Sequence, residues 1–345
     1  MKKHPLLLYI FFISLFIFII IFSGCTTKNA EPISKTLFAL DTYCTITIYD
    51  RVPEKVMEDG FNSIKDIENR MSVNIKSSEV SKINENAGIK PVKVSYDTFY
   101  VLKKAVYYAS LEKGYFDITI GPIVNLWNIG TDKARVPSPE EIKNKLPLVN
   151  YKQIIFDDKN RAIMLKNKGM SIDLGGIAKG YAADKVAEVL KTKGVKHAII
   201  NLGGNILTIG TRPDGRPWRI GIQTPFKPRG EYLGIVEVSN KAVVTSGVYE
   251  RFFEKNGKLY HHLLNPFTGY PADNHLYSVT IITDKSVDAD ALSKTFVMGL
   301  DQGMKVIESL QGVEAVFVTD NKEVYITPGL KGNFKITDPD YRLKN

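Results

Sequence analysis

The chain has 345 residues, 44% apolar and 24% charged, enough for one large folded domain or two small ones and unlike a disordered or low-complexity protein. Its formal net charge of +9 is modest for this length, and the lysines are scattered without a basic run of five or more, which argues against a nucleic-acid binder. Only two cysteines are present, which excludes a disulfide scaffold, and the positive balance fits an anionic lipid surface or a pocket for an anionic ligand.

Lys2, Lys3 and His4 precede an apolar run from Leu6 to Phe22, and Ser23-Gly24-Cys25 follows. A basic start, an apolar run and small residues before a cut describe a secretory signal. Cys25 directly after two small residues looks like a bacterial lipobox. On that reading residues 1–24 are a lipoprotein signal peptide and Cys25 carries the lipid. An uncleaved anchor is the alternative, because the run just reaches the lower limit for a span. Either reading puts the remainder on the extracytoplasmic face of a bacterial cell membrane. Residues 25–35 are polar and patternless, a linker from the anchor to a domain over residues 36–340. With Cys25 lipidated, Cys44 has no disulfide partner and reads as a small buried apolar residue.

Along the chain, "TLFALDTYCTITIYD" alternates through Ile46 and Ile48 and reads as a strand. Residues 54–71 place Met57, Phe61, Ile64, Ile67 and Met71 at helical spacing, and residues 97–112 form a second helix stopped by Gly114. "QIIFDDKNRAIML" is a hairpin. A helix starting near Gly176 buries Ile177, Tyr181, Val186 and Leu190 and stops at Gly194. "HAIINLGGNILTIG" bends at Gly203-Gly204. Strands follow over 218–223, 232–238, 242–245, 259–264 and 277–283, then a helix over 288–310 and two closing strands. Hairpin blocks separated by a few helices argue for an α+β fold with mostly antiparallel sheets and packed helices.

Several stretches could carry chemistry. "SIDLGGIAKGYAADKV" sets Gly175, Gly176, Lys179 and Gly180 ahead of a helix, yet fits neither G-x-x-x-x-G-K-[ST] nor G-x-G-x-x-G. Its glycines serve either tight packing or an anion at the helix N-terminus. In "VDADALSKTFVMG", Asp288 and Asp290 open a helix, and Ser293, Lys294 and Thr295 follow one turn later. Such a carboxylate and hydroxyl either cap the helix or hold a hard cation such as Mg²⁺. "GYFDITIGPIVNLW" places Asp117 after two aromatics, and "TSGVYERFF" places Ser246 at a strand end. "YHHLLNPFTGYPA" holds His261 and His262, whose side chains point to opposite faces of a strand. Neither H-x-x-x-H, C-x-x-C nor G-x-S-x-G occurs.

Taken in order, "LDTYCTI", "NRMSVNIKSSEVSKIN", "GYFDITIGPIVNLWNIG", "DLGGIAKGYAAD", "INLGGNI", "VVTSGVYERFF", "HHLLNPFTGYPA" and "DADALSKTFVMG" resemble the ApbE family, the FAD:protein FMN transferases, from about Thr36 to Thr327. The resemblance implies an ApbE-like, T-fold-related architecture. It also implies Mg²⁺-dependent transfer of the FMN half of FAD to a threonine or serine of another protein, making a phosphoester and releasing AMP. Acceptors carry a D-x-x-[ST]-G-A-T type motif in membrane electron-transfer complexes. Position by position, it implies metal contacts from the Gly176 carbonyl, Asp290, and Ser293 or Thr295. FAD contacts fall on Leu40, Asn74, Tyr115, Phe116, Asp117, Asp173, Lys179 and Leu264. Asp290 or His262 eases proton loss from the acceptor hydroxyl.

The chain departs from this pattern. Many relatives read D-A-L-S-T, but Lys294 stands four residues after Asp290. Asn265 stands where Asp is usual, and Asn74 where many members carry an aromatic over the adenine. A small amide there admits water and favours an FAD pyrophosphatase giving FMN and AMP. A non-catalytic flavin-binding lipoprotein is the third reading, one that needs neither Asp290 nor a metal. The anchor is testable by itself. Cys25→Ala is expected to abolish incorporation of a palmitate analogue and leave the chemistry of the folded domain intact; a variant that still labels refutes the lipobox.

Overall fold

A computed structural model describes residues 31–344. The lipidation candidate Cys25 and residues 1–24 lie outside the described residues. Among the described residues no helix is long and apolar enough to cross a membrane. The first half of the chain runs β1 (Ile33–Ala39), β2 (Thr42–Ile48), α1 (Glu54–Met71), α2 (Glu79–Glu85), β3 (Val92–Lys93), α3 (Tyr96–Leu111), α4 (Gly121–Trp127), α5 (Pro139–Lys145), β4 (Ile154–Asp157), β5 (Ala162–Leu165) and α6 (Ala178–Thr192). The second half runs β6 (Ala198–Leu202), β7 (Asn205–Ile209), β8 (Trp218–Gln223), β9 (Tyr232–Val238), β10 (Ala242–Gly247), β11 (Phe252–Lys255), β12 (Lys258–His261), β13 (Leu276–Thr283), α7 (Ser286–Leu292), α8 (Leu300–Glu308), β14 (Glu314–Thr319), β15 (Glu323–Ile326), β16 (Phe334–Ile336) and β17 (Arg342–Leu343).

A nine-stranded sheet ordered β1-β2-β6-β7-β10-β13-β14-β15-β17 forms the frame, antiparallel throughout except where β17 joins β15. One face packs on α1, α3, α6 and α7 through Ile64, Leu102, Val186 and Val287. The other packs on the small sheet β16-β9-β8 through Trp218, Ile220, Val236 and Phe334. In β14, Ala315 and Phe317 serve the first core and Val316 and Val318 the second. With both faces buried, the central strands are continuous apolar runs rather than alternating ones. A third cluster of Ile123, Trp127, Ile142 and Leu264 seats α4 and α5. There the Trp127 indole N–H donates to the Gly269 carbonyl at 2.7 Å.

The α+β expectation holds, with three local differences. The stretch read as one strand is the β1–β2 hairpin, turning on Leu40 and Asp41, whose φ values are 54° and 56°. Leucine is not a turn-forming residue, so the reversal left no mark in the pattern. β1 also begins at Ile33, inside the stretch read as linker. The single helix expected over 288–310 is broken. After α7 the chain tightens into a 3₁₀ segment over Ser293–Met298, and Gly299 with φ 79° starts α8 afresh.

Helices α6 and α7 cross at Gly180. A Cβ built there would lie 2.3 Å from the Ser286 carbonyl oxygen and 2.7 Å from Asp290 Cβ. Gly180→Ala must therefore push the two helices apart and is expected to cost about 1–3 kcal/mol. Urea denaturation reads this as a lowered midpoint; an unchanged midpoint would show that the crossing has slack.

Candidate active site

Neither α6 nor α7 caps its own start. Ile177 precedes α6 and Lys285 precedes α7, and neither side chain accepts a cap hydrogen bond. Each helix instead caps the other. Asp290 Oδ2 of α7 accepts from the Gly180 N–H at 2.9 Å, the third residue of α6 and the donor that a cap normally satisfies. Asp184 of α6 accepts from the Ser286 and Val287 N–H groups of α7 at 2.8 and 2.9 Å. Burial pushes the Asp184 carboxyl up to about 6 against the opposing pull of the two N–H bonds. The Ser286 hydroxyl donates to Asn205 Oδ1 at 2.6 Å, tying the Gly203-Gly204 turn to α7. Asp288 points elsewhere and pairs with Lys104 of α3 at 2.9 Å.

The second oxygen of Asp290 faces Lys294, one helical turn on. The Lys294 ammonium lies 3.5 Å from Asp290 Oδ1, 3.1 Å from the Asp290 carbonyl, 3.0 Å from Ser246 Oγ and 2.9 Å from Ser293 Oγ. The Ser293 hydroxyl donates to the Asp290 carbonyl at 2.7 Å and lies 2.7 Å from Ser246 Oγ. The Thr295 hydroxyl is buried and donates to the Leu292 carbonyl at 2.7 Å within the 3₁₀ segment. Burial pulls the Lys294 pKa down, while Asp290 pulls it up. Nearby Glu112 is 0% exposed, and both of its carboxylate oxygens lack a hydrogen-bond partner. Burial lifts its pKa well above the usual carboxylate range, and Lys294 works against that rise.

The glycine-rich loop lies over this cluster. A Cβ on Gly176 would sit 3.1 Å from both Lys294 Cε and Phe116 Cε2, so the glycine is there for close packing. Asp173 Oδ1 accepts from the Gly175 N–H at 2.7 Å, and the Lys179 ammonium donates to the Gly175 carbonyl at 3.1 Å. The Asp173 N–H donates to the Ile118 carbonyl at 2.7 Å, which draws the "YFDIT" segment alongside. Asp117 spends both oxygens on the chain itself: Oδ1 on the Thr119 N–H and hydroxyl, Oδ2 on the Tyr151 N–H. Tyr115 stands edge-on to Phe267 with ring centroids 5.0 Å apart.

Leu40 and Asn74 meet at one corner. The Asn74 amide donates to Asp41 Oδ2 at 3.0 Å, and the Leu40 N–H donates to Glu68 Oε1 at 2.7 Å. Left-handed geometry strains a leucine by roughly 1–2 kcal/mol, so Leu40 is held there by its surroundings. Burial pushes the Cys44 thiol up to about 11.

The histidines divide as their alternation requires. His261 Nε2 lies 2.9 Å from the Ala272 carbonyl and Nδ1 accepts from the Leu263 N–H at 3.3 Å, so the buried ring is neutral with its proton on Nε2. His262 Nδ1 lies 3.2 Å from the Arg251 carbonyl, which puts the proton on Nδ1 and leaves Nε2 to accept. Burial, Arg251 and Lys294 hold the His262 pKa down to about 3. Leu264 packs into the Trp127 cluster and bridges Pro271. A hollow of about 340 Å³ lined by Tyr260, His261, Tyr270 and Tyr277 leaves out Asp290, Gly176 and Lys294. The titratable cluster, rather than that void, marks the site.

Asp290, Ser293, Gly176, Phe116, Asp173 and Lys179 thus converge as the sequence led one to expect. Asp184, Glu112 and Glu68 were missed. The Asp184 signal is its place one turn after Gly180; nothing local marks the other two.

Lys179 and Lys294 flank the glycine loop where α6 begins, a positive corner suited to a diphosphate. Residues 40–317 match the ApbE family. The chain is 37% identical over 284 residues to a FAD:protein FMN transferase of Klebsiella pneumoniae (strain 342), covering 82% of this chain and 88% of that protein. Against the FAD:protein FMN transferase of Treponema pallidum (strain Nichols) it is 32% identical, covering 90% and 91%. The crystal structure of the ApbE protein from Thermotoga maritima superposes with a TM-score of 0.81 at 34% identity, over 88% of this chain and 99% of that one. The flavin transferase ApbE from Vibrio cholerae gives 0.79 at 27% identity, again over 88% and 99%. The chain belongs to the ApbE family.

The neutral buried His261 makes the fold acid-sensitive. Its folded pKa is pushed down to about 4, mainly by burial. Between about 6.5 and 4 the unfolded chain takes a proton that the folded chain refuses, so stability present above pH 6.5 is lost as pH falls. The loss is on the order of 3 kcal/mol. Urea titrations at neutral and acid pH should show a smaller acid loss in His261→Gln than in the parent; equal losses would refute a neutral His261.

Proposed function

We propose that this chain transfers the FMN half of FAD to a serine or threonine hydroxyl of an acceptor protein. The acceptor oxygen attacks the FMN-side phosphorus, the bond to the bridging oxygen breaks, AMP leaves, and a phosphoester remains. The observation that carries the reading is the meeting of the glycine loop, the α6 N-terminus and the cationic side chains of Lys179 and Lys294 near Asp290, in a chain of this family. Charge spreading over the diphosphate is what such a corner stabilises. His262 Nε2 is the accepting nitrogen available for the hydroxyl proton, and an anionic diphosphate beside it would raise its proton affinity from the value in the free protein. Tyr115, Phe116 and Phe267 offer aromatic surface to the flavin, and Leu40 and Asn74 are further proposed contacts. Acceptors with a D-x-x-[ST]-G-A-T type motif in electron-transfer complexes, and a lipid anchor on the extracytoplasmic face, belong to the same proposal.

Mg²⁺ does not fit the donors as they stand. Among the described residues no group of three or more His, Cys, Asp or Glu side chains could hold a metal. Of the expected ligands, Asp290 has one oxygen on Gly180 and the other on the Lys294 ammonium, and Thr295 is buried in its own turn. A dication about 4 Å from that ammonium would be repelled by ~8 kcal/mol at an effective dielectric of about 20, twice the unit-charge value.

The test is incubation of the purified protein with FAD and an acceptor domain, read as flavin fluorescence on a denaturing gel and as AMP release. Labelling is expected, and it should vanish when the acceptor hydroxyl is removed. Asp290→Asn keeps its N–H partner's oxygen but loses the charge that holds Lys294, and is expected to slow transfer by about 10²-fold or more. AMP release without labelled acceptor would favour hydrolysis instead.

A further inference from the structure

We infer that the Lys294 ammonium is the resident cation of this site, standing where a divalent metal was expected, so that this chain handles a diphosphate without one. The inference rests on the proposed reading of the site as one for FAD. Its first support is the cage. Three oxygens, from Ser246, Ser293 and the Asp290 carbonyl, lie within 3.1 Å of the nitrogen and match its three protons, and Asp290 Oδ1 adds a fourth contact at 3.5 Å. These oxygens come from β10 and from the α7 end, two elements fixed in separate layers, so the ammonium is positioned and not merely tethered. Hard-cation sites are built from oxygens such as these.

The second support is the approach of the loop. Lys294 is only 17% exposed in its side chain, and Gly176 lies directly on its stem. A Cβ at 176 would press on both Lys294 Cε and Phe116 Cε2, so the loop that starts α6 packs tightly against this lysine. The third support is Glu112, a fully buried carboxyl without a hydrogen-bond partner, on which the charge of Lys294 acts.

A fixed ammonium differs from a metal ion in ways that can be measured. It cannot be chelated, and it leaves no room for a dication. Mn²⁺ alone is titrated into the protein without FAD, following the free aquo-ion by electron paramagnetic resonance. The parent is expected to leave the Mn²⁺ signal free, and Lys294→Thr, which restores a hydroxyl, is expected to quench it. In parallel, acceptor flavinylation by the parent is measured in excess EDTA and in excess Mg²⁺. A change of less than about twofold is expected, against a loss of about tenfold or more in EDTA for Lys294→Thr, restored by Mg²⁺. Stoichiometric Mn²⁺ binding by the parent, or loss of its transfer in EDTA with rescue by Mg²⁺, overturns the inference. The two parent measurements decide the matter even if Lys294→Thr misfolds. Absence of transfer by the parent under all conditions would sink the transferase reading, while the Mn²⁺ titration would still decide the place of Lys294.

Discussion

The crossing of α6 and α7 depends on an exchange of carboxylates. Asp290 satisfies an N–H of α6 that Ile177 cannot, and Asp184 satisfies two of α7 that Lys285 leaves open. Gly180 lets the helices come close enough for both bonds. Because each cap is supplied from across the interface, the helices cannot slide or rotate without exposing buried donors. Position is therefore imposed on Asp290 from outside its own helix. Everything that hangs on it, the Lys294 contacts and the lie of the glycine loop, inherits that rigidity.

The same exchange sets the electrostatics. A carboxylate that caps one helix still has an oxygen for an ammonium, and the partial charge of the α6 start adds to Lys179 and Lys294. Asp117 and His261 show the complementary economy. Both look like chemistry-bearing residues in the sequence, yet each uses its polar atoms on the backbone around it. Asp117 pins the segment that presents Tyr115 and Phe116, and His261 pins the strand that turns His262 the other way. Reactive-looking residues here hold the frame that places the ones left free.

Much of this was legible in the sequence where periodicity is long. Helices α1, α3 and α6, the β4–β5 hairpin and the strands of the large sheet follow apolar spacing within a residue or two. The Leu40–Asp41 turn was not legible, because a single Asp after an apolar Leu, with no Gly or Pro, is a weak turn signal inside an alternating stretch. The break after Leu292 was hidden because Ser293–Met298 keeps a helical apolar pattern while tightening to three residues per turn. In the site, Asp290 stood out through its motif. Lys294 was visible as a departure, but one of its four oxygen contacts, Ser246, comes from β10, which lies far off in sequence. Asp184 and Glu112 needed the packing itself, since burial and a missing partner cannot be read from residue type.

The helix exchange also fixes when the site comes into being. The Gly180–Asp290 bond joins residues 110 apart in sequence, and the Asp184 bonds join residues 102 and 103 apart. Local helices form early, but such distant pairs close only after the intervening strands have found their places in the sheet. A nascent chain that has made α6 still lacks its cap, its ammonium and its Ser246 hydroxyl. Competence is therefore an all-or-none property acquired near the end of folding, and a chain cut short before α7 holds the glycine loop and the Tyr115–Phe116 segment without the carboxylate and ammonium that complete the cluster.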